Sequence, residues 1–328
     1  MKNKRLSNVS FVRVISFALV FAFHCFFFGT SVNSRGVFPF SAAVQSFLFL
    51  SGFLYSQKDA LRKGFLKDEF GKIADPCLFY LIALAVFDLG WLAFSGKPVS
   101  FETVKYAVGS DKPNGYAAQF GNLWYVPALL ACYLFLPLMQ KARKGGWFAE
   151  LAIFAVVTEL VTCWYLGEPI VAMPFLFGYW YGGKAFADET DPSIRKGLAF
   201  YVVPVLALAG LCWLYVLAKD LCGFDTMLQG PIGVFLAIVP LRLLRFMNAR
   251  QESQLLGYAG KLTFWLYIVH ETFMCGPTDL MAGRPIASGI AIAFVASLVS
   301  SVVLMEAHSR LKSLAKREAF AARCLSVR

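Results

Sequence analysis

Residues 9–29 read VSFVRVISFALVFAFHCFFFG, an almost unbroken apolar run that holds one arginine, Arg13, and one histidine, His24. A run of this length crosses a hydrocarbon core of about 30 Å as an α-helix. Ionisable groups at that depth are costly, so each of these two side chains needs a physical reason. They stand eleven positions apart. At 100° per residue this lies within about 20° of three full turns, so both occupy one helix face, roughly 16 Å apart along the axis. Lys2, Lys4 and Arg5 precede the run and give it the look of a secretory signal. It is long for such a segment, contains Arg13 and His24 and lacks an A-x-A cleavage site, which makes it a retained first span.

The pattern repeats along the chain. The 328 residues are 58% hydrophobic and 16% charged, with a mean hydropathy of +0.61. So few charges would not cover the apolar surface of a soluble domain this long. The expected fold is therefore an all-α polytopic membrane protein with about ten transmembrane helices. The predicted spans are 9–29, 37–56, 76–95, 120–140, 147–166, 168–183, 198–219, 228–246, 260–281 and 286–307. The sixth is short, and the eighth contains Pro231 and Pro240.

Loop charge sets the direction of these spans. With a cytoplasmic N-terminus, the inner segments collect Lys58, Arg62, Lys63, Lys67, Lys72, Lys141, Arg143, Lys144, Arg242 and Arg245, among others. The outer ones hold Arg35, Lys97, Lys105, Lys112, Lys219 and Arg284. The bias is about four to one and alternates loop by loop, which places both termini in the cytoplasm. It also accounts for the formal net charge of +11 without nucleic acid as a partner. One membrane-embedded domain over 1–328 is expected. Its basic tail, about 308–328, rests against anionic membrane lipid. The longest outer loop, 96–119, is placed to border an acceptor.

Metal and disulfide chemistry find little support. No CxxC or HExxH occurs, and the 3 histidines are scattered, which argues against zinc. Most of the 8 cysteines lie in apolar runs, where cysteine behaves as a small hydrophobe. Cys222 and Cys275 are the one pair placed to meet on an outer face.

Other polar residues fall inside predicted spans. His270 and Glu271 sit within LTFWLYIVHETFM (262–274); neighbours on a helix diverge by about 100°, so at least one must face another helix. Asp88 and Glu159 read as structural partners, and His308 as a solvated group at the inner boundary. Ser51-Gly52, in FLFLSGFLYS (47–56), and Gly178 with Gly182 permit close backbone approach. Trp124, in NLWYVP (122–127), has an aromatic-belt role as its default. Taken singly, Arg13 reads equally well as snorkelling to lipid phosphate and His24 as making an interhelical hydrogen bond.

In chain order these pieces resemble the acyltransferase 3 family of integral membrane acyltransferases, in the stand-alone membrane form. The family's Arg, ten residues, His helix corresponds to Arg13 and His24, and its Phe-rich Ser-Gly-Phe to Ser51, Gly52 and Phe53. A basic segment ending near a proline resembles Lys67, Lys72 and Pro76. The Trp-aromatic helix start resembles Leu123-Trp124-Tyr125, and the late Tyr-x-x-His resembles Tyr267 and His270. One departure stands out: where the family often carries arginines, Lys72 is followed by Ile73-Ala74-Asp75.

The resemblance implies transfer of an acyl group, commonly acetyl, from cytoplasmic acyl-CoA to a hydroxyl of a cell-surface polysaccharide or lipid-linked glycan. Acetyl-CoA or another acyl-CoA would be co-substrate, with no bound cofactor. His24 is the expected general base, since imidazole titrates near neutral pH; a transient acyl-histidine is the alternative. Arg13, Lys72, Arg242 and Arg245 would offer charge to the CoA phosphates. Ser51 and Gly52 would shape the thioester site, Trp124 would stack on a sugar, and His270 and Glu271 would support. A bacterial inner membrane is the expected location. A transporter or flippase of a glycan or small molecule, without acyl chemistry, is the competing reading, because buried charges also mark substrate pathways. The two halves show no convincing internal repeat of the kind transporters carry.

Overall fold

The computed structural model describes residues 7–29, 40–94, 123–166, 172–190, 196–218, 224–246, 254–274, 279–281 and 283–326. The 96–119 loop, the Cys222–Cys275 pair and the side chains of Asp88 and Cys163 lie outside the described residues. Among the described residues all regular structure is helical. The ten α-helices are α1 (Ser7–Gly29), α2 (Ala43–Tyr55), α3 (Phe65–Phe94), α4 (Tyr125–Gly145), α5 (Phe148–Leu166), α6 (Ala172–Thr190), α7 (Leu198–Ala218), α8 (Phe224–Phe246), α9 (Gln254–Val269) and α10 (Ile286–Ser326). Six of them, α1, α3, α4, α7, α8 and α10, are long and apolar enough to cross a bilayer.

The outer surface is apolar in a way that a water-soluble protein's is not. Large apolar side chains such as Phe154, Leu206 and Val303 point outward, while Gln45, Glu69 and Glu189 are buried. Hydrocarbon solvent produces that arrangement, since lipid accepts the apolar faces and offers polar groups no hydrogen bonds. The chain is a multi-pass membrane protein.

Each predicted span has a helical counterpart, with informative differences at the ends. α3 begins at Phe65, well before Pro76, and carries that proline internally. The charged stretch from Lys67 to Asp75 lowers hydropathy and so resembles a loop, yet Leu, Lys and Glu are good helix formers. Pro231 and Pro240 likewise sit inside an unbroken α8, as membrane helices tolerate. The ninth segment differs more. α9 stops at Val269, and His270–Phe273 form a 3-10 turn rather than the middle of a span. The helix ends there because the His270 ring nitrogen Nδ1 bonds the carbonyls of Tyr267 (2.8 Å) and Leu266 (3.2 Å), serving acceptors that a helix terminus leaves without amide donors. α10 runs unbroken to Ser326, so the basic segment from 308 is its continuation.

The chain divides into two compact units, Met1–Phe70 with Trp124–Thr263, and Gly71–Leu123 with Phe264–Arg328. In the first, α2 is the hub, packing on α1, α4, α6 and α8. Val12, Phe49, Phe53, Ala237 and Leu241 form the shared core of α1, α2 and α8. The α2–α6 contact is backbone on backbone. A methyl group at Gly52 would overlap the Phe175 carbonyl oxygen, and one at Gly178 would overlap that of Phe49. Only hydrogen fits at these two positions, and the close approach supplies the dispersion contacts that hold helices together in lipid.

In the second unit, a Tyr80–Thr272 hydroxyl bond of 2.7 Å ties α3 to the 3-10 turn. Phe79, Trp265 and His308 form a ring cluster with centroids 5.4 to 6.3 Å apart. His308 is therefore packed on aromatic rings at a half-buried position, where a solvated group was expected.

Gly178→Ala should force α2 and α6 apart and destabilise the protein by about 1–3 kcal/mol or more, read as a lowered thermal unfolding midpoint in detergent. Gly210→Ala, at a glycine of α7 with open space around it, should leave the midpoint in place.

Candidate functional site

α1 is continuous from Ser7 to Gly29, so the eleven-residue spacing acts as expected and puts Arg13 and His24 on one face. Both side chains are half-buried. The His24 ring lies between two phenylalanines of its own helix, edge-on to Phe23 (5.1 Å) and stacked with Phe28 (5.9 Å). Near Arg13, the Ser16 and Ser46 hydroxyls meet at 2.5 Å and join α1 to α2.

Ser51 and Gly52 are neighbours on α2 and therefore face different partners. With Gly52 seated on α6, Ser51 lies on the α2 face of Phe47 and Tyr55, whose rings meet Tyr125 (6.1 Å) and Tyr133 (4.4 Å) of α4. Arg13 is near enough for its positive charge to act on both of these tyrosines. Tyr133 packs on Tyr55, with ring centroids 4.4 Å apart. Tyr55 in turn donates to Glu69 Oε2 at 2.5 Å.

Glu69 is 2% exposed, and Lys58 lies 3.2 Å from its carboxylate with Arg62 at 3.9 Å, the pairing a buried charge requires. The turn between α2 and α3 is pinned beside it. Gln140 Oε1 accepts the amides of Ala60 (2.7 Å) and Leu61 (3.2 Å), and Gln57 Nε2 donates to the Gly182 carbonyl at 2.9 Å. Sequence reading missed Tyr55, Tyr125, Tyr133 and Glu69 as a group. The four-residue spacing of Ser51 and Tyr55, which puts two hydroxyls on one helix face, was the available signal.

Arg242 belongs to a second polar cluster. Its Nε and Nη2 reach Glu189 Oε1 at 2.8 and 2.7 Å, Nη1 donates to the Phe200 carbonyl at 2.5 Å, and Nη2 to the Tyr181 hydroxyl at 2.6 Å. Tyr181 also donates to Glu189. The guanidinium lies 3.8 Å over the Phe200 ring, and Arg245, itself buried, lies 5.4 Å from that ring. Asn8 Nδ2 donates to the Glu189 backbone carbonyl at 2.9 Å. Ends of α1, α6, α7 and α8 are thus fastened around one fully buried carboxylate.

The remaining predicted positions are distinct. Trp124 is 37% exposed and edge-on to Tyr125 at 6.4 Å. Glu159 accepts the backbone amides of Ala172 and Met173 at the start of α6, where a carboxylate caps unpaired amides and complements the helix dipole. That is the structural partnership expected of it.

In the second unit, Lys72 is exposed on α3, and His270 and Glu271 are buried. Backbone carbonyls only accept, so Nδ1 of His270 is the donor in both bonds. A groove of about 260 Å³, lined by Leu84, Phe87, Val299 and Val303 around the Tyr80–Thr272 pair, opens alongside.

A family model described as an acyltransferase domain matches residues 6–306, nearly the whole chain. The chain therefore belongs to the acyltransferase 3 family. With its long apolar helices, it is a membrane acyltransferase. Comparison with curated proteins and with solved structures returns no match.

Glu189→Ala should leave the Arg242 charge buried without its carboxylate and cost about 3–5 kcal/mol, measured as a lowered unfolding midpoint. Arg242→Lys should fall between that variant and the native protein, since lysine keeps the charge but lacks the planar fork.

Proposed function

We propose that this protein is a membrane O-acyltransferase. It moves an acyl group, acetyl in the simplest case, from cytoplasmic acyl-CoA to a hydroxyl of a cell-surface polysaccharide or lipid-linked glycan. The observation that carries the reading is the single face of α1, with Arg13 near Tyr125 and Tyr133 and His24 roughly 16 Å further along the helix. In this reading the ten helices cross the membrane with both termini in the cytoplasm, so that Arg13 lies on the donor side and His24 toward the acceptor.

A hydroxyl is a poor nucleophile until its proton is withdrawn. His24 takes that proton as the oxygen attacks the thioester carbonyl. Arg13 and Arg245 offer positive charge to the donor's phosphates, and Ser51 and Gly52 shape the site where the thioester enters. Arg242, bonded to Glu189, Tyr181 and the Phe200 carbonyl, suits the scaffold around Arg245 better than phosphate contact. Lys72 is a further counter-charge, and His270 and Glu271 are supporting groups. Trp124, partly exposed beside Tyr125, suits stacking on a sugar ring. The family supports acyl transfer over the transporter reading.

His24→Ala should lower acyl-ester content on the envelope glycan by about 10²–10⁴-fold in rate while acetyl-CoA still binds, as measured by calorimetry on purified protein. Wild-type ester content at normal membrane levels would remove His24 from the mechanism. Arg13→Ala should instead weaken acetyl-CoA binding.

A further inference from the structure

The groove beside the Tyr80–Thr272 pair is bounded by α3, the 3-10 turn and α10, with Leu84, Phe87, Val269, Phe273, Val299 and Val303 in its walls. Ala83 and Ser300 also line it, and these two small side chains leave space that a leucine at either position would fill. Phe87, Val299 and Val303 are 45%, 56% and 59% exposed. The groove therefore opens sideways off the helices, where the solvent of a membrane protein is hydrocarbon. The Tyr80 and Thr272 hydroxyls in its wall bond each other at 2.7 Å, which keeps the lining apolar in character. Its volume of about 260 Å³ falls just under the roughly 300–1,000 Å³ of a drug-sized ligand site and suits one narrow chain.

Charge marks one end of it. Val299 and Arg310 are eleven residues apart on α10, the spacing that aligns Arg13 with His24. Seven residues separate Val303 from Arg310, and seven more separate Arg310 from Arg317; each interval lies within about 20° of whole turns. The two arginines thus continue the face of α10 that forms the mouth of the groove. Val299 to Arg310 is a rise of roughly 16 Å, about half of a hydrocarbon core of about 30 Å, which is the depth of the chains in one leaflet. Between Glu306 and Glu318, α10 exposes Arg310, Lys312, Lys316 and Arg317, so positive charge prevails there. Lys312 bonds Asp75 at 2.8 Å, and the His308 ring lies 5.4 Å from that of Phe79, which keeps α3 beside α10 toward the charged end.

We propose that this groove holds one chain of an anionic phospholipid whose headgroup lies against Arg310 and Arg317. The lipid belongs to the leaflet on the basic side of α10. Its hydrocarbon fills the space left by Ala83 and Ser300, and the arginine N–H groups donate to its phosphate oxygens. Any phospholipid offers that phosphate; the surplus of positive charge selects a headgroup with a net negative charge. The site stands independently of the acyl-transfer reading.

The test is native mass spectrometry of the full-length chain released from detergent, with dioleoyl phosphatidylglycerol or dioleoyl phosphatidylcholine added. The unaltered protein should retain one lipid per chain and prefer phosphatidylglycerol about fivefold, the worth of one arginine at a negatively charged lipid surface. Arg310→Gln combined with Arg317→Gln should bring that preference to about one while a lipid still binds. Ala83→Leu and Ser300→Leu, each of which occupies the groove, should cut retention of both lipids by about tenfold. Equal retention of the two lipids by the unaltered chain would overturn the proposal, as would undiminished retention in both leucine variants. So would release of the lipid by soluble glycerol phosphate, which reaches the arginines without filling the groove. A chain that leaves detergent as a dimer without lipid would overturn it too, and would make a second copy the occupant. The two leucines stand on different helices, so a folding defect in one, read by circular dichroism, leaves the other to decide.

Discussion

The contact between α2 and α6 organises the first unit. In lipid, helices gain little from burying apolar area against each other, so close backbone approach has to supply the attraction. Gly52 and Gly178 provide it, each with the opposing carbonyl in the place of a side chain. Adjacent residues on a helix point about 100° apart, so fixing Gly52 against α6 also fixes where Ser51 points. It lies on the face that meets the tyrosines of α4. The Ser-Gly pair is therefore a single device: one residue sets the helix rotation, and the next presents a hydroxyl along it.

Around that hub, buried charges are handled in two ways. Glu189 and Arg242 meet almost without exposure and draw in a tyrosine hydroxyl, a carbonyl and an aromatic face. Such a cluster tolerates no single deletion, because the partner left behind stays buried. Glu69 is also buried, but its cations lie partly exposed and belong to a turn held by Gln57 and Gln140. The first arrangement locks helix ends together. The second keeps a carboxylate connected both to a tyrosine hydroxyl inside and to charge outside.

Much of the fold was legible because hydropathy is a direct reading of the solvent: each apolar run has its helix. Errors lie where hydropathy and helicity part company. The charged first turns of α3 resemble a loop by composition, and the apolar stretch through His270 conceals a helix end set by a ring nitrogen and two carbonyls. For the site, the Arg13–His24 spacing could be read because both lie on one regular helix. The tyrosine series could not, since its members come from α2 and α4, and no local period links residues that meet only through packing. The pairing of Arg242 with Glu189 was equally out of reach, because the two are distant in sequence and no local pattern links them.

α10 has 41 residues, a length of roughly 60 Å at 1.5 Å per residue, about twice the thickness of a hydrocarbon core. No glycine or proline occurs between Ile290 and Ser326 to bend it. A rod of this kind is a lever. Over that length, a tilt of a few degrees in its apolar half becomes a displacement of several ångströms at its basic end.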